Sequence, residues 1–136
     1  MIKVLIGRKG TGKTKTLIES INNAVSVSVG DIVFVSNNMQ RHMYDIHHQV
    51  RLVDTSEFNI NNYNEFYGFL CGIISGNFDV SNIFIDSIFK IVGGTYEGLE
   101  NFFDLIENLS KKFSISFYFT ISLDTDEIPE HLKKYL

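Results

Sequence analysis

Three things are scarce in this sequence of 136 residues: cysteine, an excess of positive charge and long apolar runs. The single cysteine, Cys71, cannot form a disulfide within the chain. Because 16 acidic side chains outnumber 12 basic ones, no broad positive field is available to bind nucleic acid or an anionic membrane. Neither an apolar run of membrane-spanning length nor a secretory leader pattern occurs. We therefore expect a cytoplasmic protein with no membrane segment and no nucleic-acid ligand.

Length and composition predict one globular domain over residues 1–136. Chains of this length usually form a single domain. The apolar content of 44% and the charged content of 21% are typical of globular proteins. Folding of such a chain removes roughly two thirds of its extended surface from water, enough for a core that needs no disulfides.

Apolar runs of the buried-strand type alternate with helical apolar patterns along the chain. The runs lie at 1–6, 32–36, 51–54, 83–85 and 113–123. Apolar residues recur at helical spacing after Lys13, after Asn62 and over Leu99–Leu109. A short helix is also predicted after Pro129, and a weaker helical pattern lies within 37–49. Such alternation predicts an α/β fold with a mainly parallel sheet of four to five strands.

The first loop carries the most specific pattern. Residues 7–14, GRKGTGKT, match G-x-x-x-x-G-K-[ST] at every fixed position, between a predicted strand and a predicted helix. In that context the loop amides and the helix dipole form an anion site. Lys13 can reach the β and γ phosphates of a nucleotide, and the Thr14 hydroxyl can ligate Mg²⁺. The predicted phosphate-binding residues are Gly7, Gly10, Thr11, Gly12, Lys13 and Thr14.

This loop resembles the Walker A motif of P-loop nucleoside triphosphatases, and the resemblance implies their three-layer fold. The segment 82–86, NIFID, is similar to the Walker B motif, which ends a neighbouring strand with a carboxylate. The resemblance implies that Asp86 holds Mg²⁺, through water, opposite Thr14. The plainer alternative is a strand-terminal aspartate that caps a turn.

The residues Asp86-Ser87-Ile88 also resemble the same position in RecA-like ATPases. That family places an extra strand between the strands of its two motifs, whereas in the kinase and GTPase group those strands are neighbours. We therefore expect the strand of Phe113 to Thr120 between those of Val4 and Ile85. Thr120 or Ser122 would then lie near the γ-phosphate as a polar sensor; otherwise both are ordinary strand-end hydroxyls.

The catalytic glutamate of such ATPases is missing here. The position after the Walker B aspartate is Ser87, and the second strand is followed by Ser36-Asn37-Asn38. Glu57 and Glu65, in the flanking segments, are available to supply this acid, but the plainer interpretation is that both are surface residues. We therefore assign no catalytic residue and expect hydrolysis to be slow or dependent on a partner.

Histidines and arginines give weaker patterns. The set His42, Asp45, His47 and His48 does not predict a metal site beyond Mg²⁺, because adjacent residues on a helix point about 100° apart. Arg41 and Arg51 are either fingers toward the phosphate of a neighbouring subunit or solvated surface residues.

The loop 93–98, GGTYEG, is glycine-rich and follows the segment after Asp86. It either moves with the nucleotide state and contacts a base through Tyr96, or is a plain connector.

Three functions stay open. The favoured one is an Mg·ATP-binding protein with weak or partner-stimulated ATPase activity. The alternatives are a phosphotransferase, since thymidine kinase resembles this sheet, and a nucleotide-sensing module that performs no chemistry. No N-K-x-D pattern is present, which favours ATP over GTP. A protein partner or a homo-oligomer is compatible with each function.

Overall fold

The computed structural model describes residues 1–94 and 96–136, so Thr95 of the predicted glycine-rich loop lies outside the described residues. The strands are β1 (Ile2–Gly7), β2 (Asp31–Ser36), β3 (Arg51–Asp54), β4 (Val80–Ile85) and β5 (Ser116–Ser122). The helices are α1 (Lys13–Val25), α2 (Met39–His42), α3 (Tyr63–Ser75), α4 (Ile88–Val92) and α5 (Leu99–Phe113). Short 3₁₀ turns lie at Met43–Asp45, Thr55–Glu57, Thr125–Glu127 and Glu130–Tyr135.

The five strands form one all-parallel sheet in the order β1-β5-β4-β2-β3. The prediction of an α/β fold with a mainly parallel sheet is confirmed. The prediction that the fifth strand lies between the first and the fourth is also confirmed, because Phe119 of β5 is in register with Val4 on one side and with Ile85 on the other.

Alternate residues of the strands belong to two hydrophobic cores, one on each face of the sheet. In β2, Ile32 and Phe34 pack with Leu17 and Ile21 of α1, whereas Val33 and Val35 belong to the cluster that includes α3, α4 and α5. This alternation follows from the two-residue period of a strand. Apolar side chains thus point to both faces, as expected for a parallel sheet covered by helices on both sides and consistent with a three-layer α/β fold.

Several predicted element boundaries differ from the structure: β4 begins at Val80, three residues before its predicted start, and β5 ends at Ser122. The last strand begins at Ser116 rather than at Phe113, because α5 continues through Phe113. The cap residue after the helix is Ser114, which adopts a left-handed conformation (φ 56°) and donates a backbone hydrogen bond to the Ser110 carbonyl. Within 37–49 the helix is limited to four residues and is followed by a 3₁₀ turn.

Among the helices of the described residues, none combines the length and apolar character needed to cross a membrane.

Candidate functional site

The carboxyl ends of parallel strands meet at one edge of the sheet, and ligands bind there in open α/β folds. At this edge the loop after β1 faces the segments that follow β2 and β4. Together they enclose a cleft of about 280 Å³. Its walls are formed by Lys9, Gly10, Gly12, Lys13, Thr14, Lys15, Asn37, Asn38, Arg41, His42, Asp86, Ser87, Lys90 and Ser122.

The loop backbone takes a form that requires glycine. Gly10 and Gly12 have φ angles of 85° and 84°, a left-handed region that side chains disfavour. Gly12 precedes the first residue of α1, whose amino terminus has no side-chain cap. The first N–H groups of this helix therefore point into the loop, with the positive end of the helix dipole behind them. Such an arrangement can bind an anion.

Lys13 lies folded over the same loop. Its Nζ donates a hydrogen bond to the carbonyl of Arg8 at 2.8 Å, and the Thr11 hydroxyl donates to the same carbonyl at 2.7 Å. Burial lowers the pKa of Lys13; the negative charge of Asp86 raises it, and the positive charge of Lys90 lowers it further. Both residues are therefore close enough to act on the lysine charge.

The Asp86 carboxylate ends β4 and is nearly buried, with 4% of its surface exposed. The Thr14 hydroxyl donates to Oδ1 at 3.1 Å, and the Thr120 hydroxyl donates to the same oxygen at 2.7 Å. Within the described residues no basic group forms an ion pair with this carboxylate. A buried carboxylate whose partners are only hydroxyls is suited to a hard divalent cation, and Thr14 supplies a second oxygen beside it.

The two strand-end hydroxyls of β5 have different positions. Thr120 is fully buried behind Asp86, where its Oγ1 also accepts a hydrogen bond from the Ser87 N–H at 2.7 Å. Thr120 thus orients the carboxylate without reaching the cleft. Ser122 pairs in register with Gly7 and lines the cleft, so its hydroxyl, unlike that of Thr120, faces the cleft.

Neither glutamate from the flanking segments lines the cleft. Glu65 caps α3: its carboxylate accepts a hydrogen bond from the Asn61 N–H at 2.7 Å, and its own N–H donates to Asn62 at 2.8 Å. This pairing resembles a capping box, except that the glutamate accepts from the residue before the N-cap Asn62. Glu57 lies exposed in the 3₁₀ turn after β3. The structure thus gives both residues surface positions.

The histidines and arginines separate into two groups. His47 and His48 lie in a turn with their rings stacked at 4.4 Å, so the helical geometry expected for them is wrong. In the described part of the chain, no group of three or more His, Cys, Asp or Glu residues could hold a metal ion. Arg51 pairs with Asp31 at 3.1 Å, near the start of β2 and β3 and away from the cleft. Arg41 and His42 line the cleft.

Sequence reasoning missed Lys90, Asn37 and Asn38 as parts of the cleft. The Asn37 side-chain amide donates to the Lys90 carbonyl at 3.2 Å and so ties the segment after β2 to α4. Spacing in the sequence does not indicate these positions, because they depend on β2 and β4 being neighbours in the sheet.

No protein-family model and no curated protein matches this chain. The function is therefore argued from the chemistry of the site itself.

Proposed function

We propose that this chain is a RecA-like P-loop protein that binds Mg·ATP and has weak or partner-stimulated ATPase activity. One observation carries the proposal: the glycine loop after β1 brings Thr14 within 3.1 Å of a buried carboxylate, Asp86, that ends a different strand. The strand order supports the RecA-like assignment, since β5 separates the strands that carry the two motifs.

The residues of the cleft have separable roles in this proposal. The N–H groups of the loop and of the first turn of α1 bind the β and γ phosphates, and Lys13 leaves the Arg8 carbonyl to contact them. Thr14 and Asp86 would hold Mg²⁺, Asp86 through a water molecule. When bound, the ion neutralises the charge that develops on the phosphates. Thr120 keeps the Asp86 carboxylate facing Thr14.

The expected activity is weak because, in the described residues, the cleft has no carboxylate to activate water besides the one assigned to the metal. Asp86 is the only carboxylate that lines the cleft in the described residues, and its role is to hold the metal. A water molecule that attacks the γ-phosphate would therefore lack the positioned acid that many ATPases use.

A calorimetric titration with ATP, with and without Mg²⁺, tests the proposal. The wild-type protein is expected to bind ATP more tightly with the ion, and Asp86→Asn is expected to lose most of this difference because one charge on the metal-water shell is removed. Thr11→Ser, which keeps the hydroxyl that bonds the loop, is the matched control and should keep the Mg²⁺ effect. No heat of ATP binding in either condition would contradict the proposal.

A further inference from the structure

The side of the cleft that faces the loop after β1 carries two basic side chains for which the proposed function assigns no anion. Arg41 of α2 and Lys90 of α4 line the cleft opposite Lys13. Within the described residues, neither side chain pairs with an acidic residue. Cations that share one cleft repel one another, and a bound anion would relieve that repulsion.

The distribution of charge over the whole chain strengthens this point. Five of the 12 basic residues line the cleft, but only one of the 16 acidic residues does. The lining of the cleft is therefore positively charged, although the net charge of the chain is −4. Such a cleft focuses its field and attracts anions. In the proposed nucleotide complex the loop amides and Lys13 bind the β and γ phosphates of ATP, which leaves Arg41 and Lys90 for a further anion.

The scarcity of bases in the cleft limits which groups could accept a phosphoryl group. A hydroxyl or a water molecule must lose a proton as it attacks, and apart from the metal-binding Asp86 the described lining of the cleft offers only His42 as a base. A phosphate or carboxylate oxygen is already ionised at neutral pH and needs no base. Guanidinium and ammonium groups are the side chains that bind such oxyanions.

We propose that Arg41 and Lys90 bind an oxyanion acceptor, a phosphate or a carboxylate, beside the γ-phosphate of ATP. This proposal rests on the proposed nucleotide binding. In the reaction an acceptor oxygen forms a bond to the γ-phosphorus while the bond from that phosphorus to the β-γ bridging oxygen breaks, and ADP leaves with the electron pair of that bond. No proton is transferred, and nothing is oxidised or reduced. Slow hydrolysis is then a side reaction with water.

Adenosine tetraphosphate is the probe, because its fourth phosphate extends beyond the γ position toward the proposed acceptor site. With Mg²⁺, the wild-type protein is expected to bind it about tenfold more tightly than ATP, as one or two additional charge-assisted hydrogen bonds would give. Arg41→Gln and Lys90→Gln should each reduce this preference about fivefold or more and leave the affinity for ATP within about threefold. Arg51→Gln, whose arginine pairs with Asp31, is the matched control and should behave as wild type.

The source of the anion is distinguished in a second titration, of inorganic phosphate and of acetate into protein saturated with a non-hydrolysable Mg·ATP analogue. Binding of phosphate alone indicates a phosphorylated acceptor, and binding of acetate indicates a carboxylate; either binding should be lost in Arg41→Gln.

Equal wild-type affinity for ATP and the tetraphosphate would overturn the acceptor site while nucleotide binding stands. A preference kept in both variants but lost in His42→Gln would also overturn it. If neither nucleotide binds, the proposed function itself fails.

Discussion

Replacing Lys13 with alanine is expected to remove most of the affinity for Mg·ATP, by about 100-fold. The ammonium group would contact two phosphates, and hydrogen bonds to charged groups contribute about 1.5–3 kcal/mol each. The lysine lies over the loop, with its Nζ 2.8 Å from the Arg8 carbonyl, so it needs only a short movement to reach phosphates bound there. Calorimetric titration of the wild-type protein and the variant measures the difference.

Lys15→Ala is the matched control for this experiment. Lys15 lies in the same helix and also lines the cleft, but no hydrogen bond fixes its side chain over the loop within the described residues. We expect it to lower the affinity about threefold or less, through the general field of the cleft. An unchanged affinity in Lys13→Ala, with an unaltered thermal unfolding midpoint in both variants, would contradict the assignment of the loop.

Turnover of ATP by the purified protein is expected to lie two to four powers of ten below the enzyme median of about 10 per second. The reason is that no carboxylate stands where such ATPases place the one that activates the attacking water: Ser87 follows Asp86, and Asn37 and Asn38 follow β2. Glu57→Gln and Glu65→Gln should change this rate little, because both residues lie outside the cleft. Phosphate release under saturating Mg·ATP measures the basal rate.

Two results would contradict this expectation in different ways. A brisk basal rate that collapses in either glutamine variant would reveal a catalytic acid from outside the expected strands. Glu65→Gln is informative here, because glutamine retains the acceptor oxygen for the Asn61 N–H while it removes the charge. A brisk rate that is lost only on mixing with inactive Lys13→Ala subunits would indicate that Arg41 acts across an oligomer interface.

The parts of the fold that were predictable are those set by local chemistry. Apolar runs fill strands buried on both faces, and the glycine loop requires a strand before it and a helix after it, so β1 and α1 follow from neighbouring residues alone. The start of β5 was not predictable in this way. Phe113 is the first residue of an apolar run in the sequence, yet it ends α5. The boundary is set by the left-handed backbone conformation of Ser114, which the pattern of apolar residues does not indicate.

The same distinction applies to the site. Asp86 was identifiable because it follows an apolar strand and ends it, a pattern visible in the sequence. Arg41 and Lys90 are exposed residues on helices of four and five residues, too short to show a periodic pattern. Their common position depends on β2 and β4 being neighbours in the sheet. That adjacency is a non-local property, which composition and spacing do not encode.

A crystal structure of the protein with Mg²⁺ and a non-hydrolysable ATP analogue tests the central claim most directly. We predict that the β and γ phosphates lie on the N–H groups of Gly10 to Thr14, with the ion between the Thr14 hydroxyl and the Asp86 carboxylate. An analogue whose phosphates lie elsewhere at saturating concentration, with Lys13 still bonded to the Arg8 carbonyl, would contradict the claim.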